Sequence, residues 1–597
     1  MKQSRTLSQL GRFLVFFLLV GAFAPAAAQQ ATDSWAPPGS QAPIRLRVID
    51  PINGLIDFPP VHATLLPDGR VMLIAKTGIH ARAAYFTPGA LGDPLPPGSS
   101  VLLTPETVPV NINTPIDYVD AMGRPVHIEE TLFCSGHALM ADGSIFVAGG
   151  TLLLSVFDPP TQTTVNWVYG MPNTTLYSYP LRSWFRLQPD MIGTGATGSN
   201  RRWYGTVTRL ADERMLITSG YELADIQVRV PGLPVQHHGS THNRSVEVWT
   251  PAAPPAASSR NLVSTHLQTP EAVWNPDYTH VFQFPYPDFG PNLLLMFGDN
   301  GLPVYLDPDL PPGTGWFPLS GMPRPGVAPG QAPNHGAASV LLPLRASNGE
   351  WGYVNGSVLQ AGGGRGSTME HSIDFFDPVN FWGQGIDVGL RRRYPATVLL
   401  PDGKVMVVSG YDGNATNVNP LLRNAHYLDL RPPILPSTVF TTGTASGEVR
   451  GYHNVALLLP DGRVLIAGGR SAGEADDEDE KATFRYLYPP YMSPRASPPP
   501  RPAITAAPQT IGYNSSFTLE VSGGPVGEVV LMGLGSMTHA FDMDQRYVQL
   551  AATPQGDSAA QVTGPANAQT APPGHYMLFV LNGSRVPSIA RFVRVMP

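Results

Sequence analysis

Five stretches of the chain repeat one pattern of apolar and turn-forming positions. They run from His62 to Ala75, Gly136 to Gly150, Trp203 to Gly220, Tyr394 to Gly410 and Tyr452 to Gly469. Each holds an apolar strand, a tight turn (Asp-Gly in four of the five) and a second apolar strand that ends in small residues. The glycine supplies the positive φ that a short hairpin loop needs. Neither strand alternates polar with apolar positions, so both faces are predicted to be buried between neighbouring sheets. Two weaker copies, Val281 to Asp299 and His335 to Gly363, bring the count to seven. Their spacing of roughly 55 to 80 residues lies near or somewhat above the kelch period.

A lone hairpin cannot cover both of its faces, whereas four-stranded blades stacked radially can. The pattern therefore predicts an all-β chain whose residues 45–492 form a seven-bladed kelch-type β-propeller. A large β-sandwich leaves the recurring glycine pairs at the hairpin ends unexplained. After Gly469 the character changes. The acidic run from Gly473 to Lys481 reads as a solvated loop, and Ser493 to Pro502 reads as a Pro/Ser-rich linker. Residues 503–597 alternate short apolar runs with turns, as in Phe517 to Val521 and Tyr576 to Leu581, and predict a C-terminal immunoglobulin-like β-sandwich.

Composition narrows the setting. Gly (61) and Pro (64) are abundant and spread along the 597 residues, as turns between many strands require. Charged residues make up 14% and the net charge is -7, which excludes a basic nucleic-acid footprint. The first 28 residues have the order of a secretory signal peptide: Lys2 and Arg5, an apolar run from Phe13 to Phe23, then Ala26, Ala27 and Ala28 before Gln29. A retained N-terminal anchor is the alternative. The apolar run is short for a membrane span, and no second long apolar segment follows. The expectation is a secreted or cell-surface monomer without a stable membrane span.

Cys134 is the only cysteine. Outside the cell cysteines normally pair, and here no intramolecular disulfide can form. Either Cys134 is a small buried hydrophobe, or it has a covalent or metal role. Its position bears on the choice. Phe133-Cys134, Trp203-Tyr204 and Tyr452-His453 all precede inner hairpins, and in a propeller such strand starts meet around the axis. Phenol and imidazole together suit Cu(II). Two phenols and a thiol without a carboxylate argue against a hydrolytic zinc site. Taken singly, each tyrosine or histidine reads more readily as packing; the case rests on their coincidence. Successive strand residues face opposite ways, so Tyr452 and His453 can share a metal only if the backbone departs from a regular strand there.

At these residues the chain resembles the galactose oxidase and glyoxal oxidase family of copper-radical oxidases. Phe133-Cys134-Ser-Gly-His, Arg202-Trp203-Tyr204, Gly451-Tyr452-His453-Asn, Tyr488-Pro-Pro-Tyr-Met and the segment from Gly535 through His539 to Arg546 carry the resemblance, in order along the chain. The Arg-Trp-Tyr form is closer to glyoxal oxidase. The resemblance implies a Cys134–Tyr204 thioether radical cofactor and one copper held by Tyr204, Tyr452, His453 and His539, with Tyr452 also serving as general base. It implies oxidation of a small aldehyde, a primary alcohol or a glycan end by O2, with release of H2O2. It further implies that His539 reaches the hub from the C-terminal domain.

Two departures stand out. Galactose oxidase stacks a tryptophan over the thioether, whereas the matching stretch here reads Tyr221-Glu-Leu-Ala-Asp, leaving Trp184 or Trp167 as candidates. Only a short stretch separates the signal from the first hairpin, so no carbohydrate-binding domain precedes it. Both argue against galactose as the substrate. A non-catalytic propeller that binds glycans or matrix is the competing reading. His237-His238-Gly-Ser-Thr-His242 reads as an exposed polar loop before it reads as a metal site.

Overall fold

A computed structural model of the chain describes residues 29–30, 34–35 and 43–597, apart from 77, 81, 90–98, 109–115, 192–199, 234, 252–261, 269–276, 298–302, 312–313, 320–323, 325–335, 347–352, 365–371, 380, 384–385, 388–390, 413–418, 432–439, 446–447, 471–479 and 494–497. The proposed signal peptide lies outside the described residues. Among them the chain is all-β, and its helical elements are single 3-10 turns such as Pro490–Met492. No helix there is long and apolar enough to cross a membrane.

Seven sheets start from seven fully buried strands, one per predicted hairpin. These are β1 (Pro60–Leu65), β2 (Gly136–Leu139), β3 (Thr206–Arg209), β4 (His280–Gln283), β5 (Ala338–Leu341), β6 (Ala396–Leu399) and β7 (Asn454–Leu458). Each pairs antiparallel with the strand across its turn, and the two weaker copies behave like the other five. The sheets grow outward from these strands; those begun by β2, β3 and β4 have four strands each. The starting strands also pack on one another: β2 on β3, β3 on β4, β5 on β6, β6 on β7 and β7 on β1. His280 Nδ1 lies 2.5 Å from Ser339 Oγ, joining β4 to β5.

The approach to these strands departs from extended backbone. Cys134 (φ 59°), Tyr204 (φ 65°), Tyr278 (φ 39°), Gly336 (φ 67°), Tyr394 (φ 53°) and His453 (φ 67°) all lie in the left-handed region just ahead of a starting strand. Only glycine enters that region freely, so five side chains are held there against intrinsic preference. Hydrogen bonds link several of them from one sheet to the next. Tyr204 N–H donates to Cys134 O (2.8 Å), Tyr278 N–H to Tyr204 O (3.1 Å) and Tyr394 N–H to Gly336 O (2.6 Å). The terminal glycines have a related purpose. A Cβ on Gly468 would lie 2.2 Å from Pro60 O and 2.9 Å from His453 O, so only hydrogen fits where these backbones cross.

A separate sheet lies outside the hairpin pattern. It contains Ile116–Val119, Pro125–Thr131, Thr151–Asp158, Thr163–Gly170 and Tyr221–Arg229, with Gln236–His238 and Thr241–His242 at its far edge. Ile128, Leu154, Trp167 and Ile226 lie side by side across it.

Residues 503–596 supply two further sheets that share a buried core including Leu519, Val521, Leu531, Val562, Leu578 and Val593. Between Glu528–Gly533 and Tyr547–Leu550 the chain leaves them. There β8 (Ser536–Thr538) pairs antiparallel with β1, matching Ser536 to Thr64 and Thr538 to His62. Asp542 Oδ1 fixes this excursion by accepting the backbone N–H groups of Ser536, Asp544 and Gln545 at 2.8, 3.1 and 3.1 Å. At the other end of the chain, Ile44–Asp50 joins the sheet begun by β7 through Thr483 and Phe484.

Candidate metal centre

Four of the left-handed residues, Cys134, Tyr204, Tyr278 and His453, place their side chains around His539. Cys134 Sγ lies 3.6 Å from His539 Nε2. The ligand atoms of Cys134, His453 and His539 lie within 4.8 Å of one another, and all three residues are buried. The ring of His539 is 4.6 Å from that of Tyr204, 4.5 Å from that of His453 and 5.2 Å from that of Tyr452, centroid to centroid. The other four predicted residues therefore surround the imidazole of His539. His539 arrives on the segment that follows β8, as the C-terminal origin predicted for it requires.

The departure from strand geometry expected at Tyr452 and His453 is present. The left-handed turn at His453 brings the two rings into a stack with centroids 3.8 Å apart. The same device operates at Tyr204, where the preceding Trp203 stacks at 3.5 Å and 8°. The tryptophan over the tyrosine is thus Trp203, neither Trp184 nor Trp167. Trp184 packs on Tyr177, and Trp167 lies in the outer sheet beside Leu154 and Ile226. Regular alternation would send residues 203 and 204 to opposite faces; a positive φ at Tyr204 removes that rule. Tyr221 opens the stretch without a tryptophan and packs edge-on against Trp203 at 5.9 Å.

Each imidazole is oriented from behind. His453 Nδ1 lies 2.5 Å from Glu480 Oε1, which also accepts Arg470 Nε at 2.7 Å. Glu480 is the last acid of the run expected to be solvated, yet its side chain is 2% exposed. Residues 471–479 of that run lie outside the described residues. Burial opposes ionisation of Glu480, but His453 and Arg470 outweigh it and hold the carboxyl at about 2. His539 Nδ1 lies 2.6 Å from Thr538 Oγ1, whose hydroxyl donates to Val61 O at 3.1 Å. With Nδ1 engaged in both rings, Nε2 faces the centre, and the buried Nε2 of His453 has no hydrogen-bond partner.

Electrostatics suit metal ligation. Burial pushes His453 below the usual imidazole range even though Glu480 opposes the shift. It pushes His539 well below, helped by His453 and His62. Both are neutral imidazoles at neutral pH. Burial raises the Cys134 thiol well above its usual range, so it is not an exposed thiolate open to solution oxidants. An orphaned buried imidazole nitrogen beside a second imidazole, two phenols and a sulfur fits Cu(II).

Sequence reasoning missed three further members. Tyr278 is buried with its ring 4.8 Å from Tyr204 and 4.6 Å from His539, and its hydroxyl donates to Ser135 O at 3.1 Å. His62 Nε2 accepts the Cys134 backbone N–H at 3.0 Å. Glu480 is the third. Tyr278 occupies the same approach position as Cys134 and Tyr204, and that register was the available signal. His237, by contrast, is exposed and pairs with Asp225 at 2.5 Å, well away from the centre.

Comparison with known proteins agrees with this geometry. The family profile "Galactose oxidase-like, Early set domain" matches residues 501–595. A galactose oxidase of Gibberella zeae is 25% identical over 487 residues, covering 78% of this chain and 61% of that protein. An aldehyde oxidase of Vitis pseudoreticulata is 27% identical over 503 residues, 79% of this chain and 84% of the relative. These likenesses support the copper-radical oxidase family for this chain. It spans about three-fifths of the length of the galactose oxidases that it matches. A fungal alcohol oxidase of the AA5 family, solved in complex with copper, shares the fold with a TM-score of 0.60 at 18% identity, covering 95% of this chain and all of that one.

Proposed function

We propose that the protein is a secreted copper-radical oxidase that converts a primary alcohol or an aldehyde, possessing or lacking a glycan body, with O2 to the oxidised product and H2O2. The observation that carries this reading is the convergence of Cys134, His453 and His539 ligand atoms within 4.8 Å of one another, beside the rings of Tyr204 and Tyr452. The family's extracellular setting and the order of residues 1–28 support secretion, with the bulk acting as a single copy.

The architecture proposed to hold this site is a seven-bladed kelch-type propeller over residues 45–492, followed by a sandwich domain over 503–597. The contacts between starting strands, with the His280–Ser339 and His62–Cys134 bonds, support closure of the ring. The sandwich domain completes the hub by lending β8 and His539.

Tyr204, Tyr452, His453 and His539 would hold the copper, which when bound serves as a one-electron acceptor and substrate-binding Lewis acid. Cys134 Sγ and a ring carbon of Tyr204 would join in a thioether, the S–H and C–H protons and two electrons passing to O2, which leaves as H2O2; the bond commits the lone thiol and gives Tyr204 a stabilised one-electron oxidised state. Trp203, parallel to Tyr204, shields and delocalises that state. Tyr452 is half-buried and takes the substrate hydroxyl proton. The oxidised Tyr204 oxygen takes the α-hydrogen, and the substrate leaves as a carbonyl compound having lost two electrons and two protons. O2 receives all four particles and leaves as H2O2. An aldehyde enters the same cycle as its hydrate, which carries the required C–H and O–H on one carbon.

The test is a peroxide and O2-uptake assay on copper-loaded protein across sugars, simple alcohols and aldehydes. Equal O2 consumption and peroxide release is expected with at least one class, and none with Tyr204→Phe. Bound copper with no peroxide from any class sinks the reading.

A further inference from the structure

The site tyrosine is connected to the outside by a row of aromatic rings. Trp203 lies parallel to Tyr204 at 3.5 Å. Tyr221 meets Trp203 at 5.9 Å and 64°, and His242 meets Tyr221 at 4.8 Å. Tyr204 is buried, while Trp203, Tyr221 and His242 are each partly exposed, so the row runs from the hub to solvent. Its joints are rigid. Trp203 N–H donates to Tyr221 O at 2.9 Å and Tyr221 N–H to Trp203 O at 2.7 Å. The indole N–H donates to Thr151 Oγ1 at 3.0 Å, and Thr151 in turn donates to Phe133 O at 2.7 Å. Gly220 permits the crossing, since a Cβ there would lie 2.8 Å from Trp203 O.

Packing alone does not require a redox-active residue at both outer positions. Tryptophan and tyrosine are the two side chains whose one-electron oxidation is close in energy to that of the site tyrosine. Stepwise transfer between rings in contact is far faster than one long step from a buried centre.

We propose that Trp203 and Tyr221 form an electron-entry route through which soluble one-electron reductants quench the oxidised Tyr204 when no substrate is bound. The inference rests on the radical reading above. In the first step Trp203 gives one electron to the oxidised Tyr204, which becomes phenolate, and Trp203 becomes a radical cation. The indole keeps its proton because its partner, the Thr151 hydroxyl, is a poor base. Tyr221 then gives one electron to Trp203 and its phenolic proton to water. The external reductant returns one electron to Tyr221, which takes a proton back. The sum is one electron from reductant to Tyr204 and no net change in Trp203 or Tyr221. The route protects the buried centre from oxidising its own surroundings during idle periods.

The probe is ferrocyanide, mixed under anaerobic and substrate-free conditions with copper-loaded, oxidised protein, with the Tyr204 radical followed by its absorbance. Tyr221→Phe keeps the ring and its packing but removes the oxidisable phenol. Its quenching rate is expected to fall by at least about tenfold, with initial turnover of a good substrate unchanged. Tyr221→Trp restores an oxidisable ring and is expected to recover most of the rate. A Tyr221→Phe quenching rate within twofold of wild type, with normal radical formation, overturns the route and leaves the oxidase reading intact. Wild-type protein that binds copper and forms no radical overturns both.

Discussion

Glu480 offers the sharpest test of how the centre is held. One carboxylate oxygen receives His453 Nδ1 at 2.5 Å and Arg470 Nε at 2.7 Å, on a side chain 2% exposed. Removing the acceptor frees the His453 ring to rotate and to change which nitrogen carries the proton. Partners of this kind typically matter by about 10–100-fold in metal affinity, or ~1.4–2.7 kcal/mol. Glu480→Ala is therefore expected to weaken copper binding by about that factor, and Glu480→Gln, which keeps an acceptor oxygen, by less. The variant also removes one partner of the Arg470 guanidinium, which keeps its place 5.2 Å from the Tyr452 ring. The pH dependence has a definite sign. A carboxyl held at about 2, against 4.5 unperturbed, stabilises the copper-free fold by about 3 kcal/mol above pH 4.5 and loses that contribution as pH falls toward 2. Competition of the apo-protein with a chromophoric copper chelator measures the affinity, and urea unfolding measures the stability. A folded Glu480→Ala protein that holds copper within twofold of wild type refutes the positioning argument.

Three other outcomes follow from the structure. Gly468→Ala places a methyl 2.2 Å from Pro60 O at a φ of 65°, so a loss of ~2–3 kcal/mol is expected in urea unfolding, together with weaker copper binding because His453 O is the next atom met. Asp542 is raised to about 7, by burial first and then by the charge of Asp544, despite its backbone donors. A raised carboxyl stabilises the fold below 3.8 and loses that contribution as pH rises through 7, so Asp542→Asn is expected to be more stable than wild type at pH 7.5, by up to about 4 kcal/mol, and no more stable at pH 4. Intact mass spectrometry of protein exposed to copper and air is expected to show a species lighter by two hydrogens, absent in Cys134→Ser; unchanged mass with a titratable thiol counts against the thioether.

The hairpins were legible because burial on both faces leaves a plain mark: apolar runs on either side of an Asp-Gly turn, closed by glycines that only a crossing backbone demands. The site was legible as positions and less so as contacts. Cys134, Tyr204 and His453 share one register ahead of their strands, which sequence alignment within the chain reveals. The direction of each side chain depends on a left-handed φ that the sequence does not announce at a tyrosine or histidine. That is why Trp203 was passed over for Trp184 and Trp167. Glu480 was hidden by its neighbours, since an acid at the end of an acidic run looks solvated unless the cation and imidazole that bury it are known. The outer sheet escaped notice because its strands alternate too loosely beside the fully apolar hairpins.

The pairing of β8 with β1 has a consequence for the order of events in the cell. Thr538 meets His62, so a segment made long after His62 completes a sheet that His62 helps to begin. A chain cut short before residue 536 already carries Cys134, Tyr204, Tyr452 and His453 but lacks His539 and the strand that positions it. On the function proposed above, a translation product that ends before residue 536 makes no oxidant, and the chemistry waits for the C-terminal sheets to deliver their excursion to the early strand.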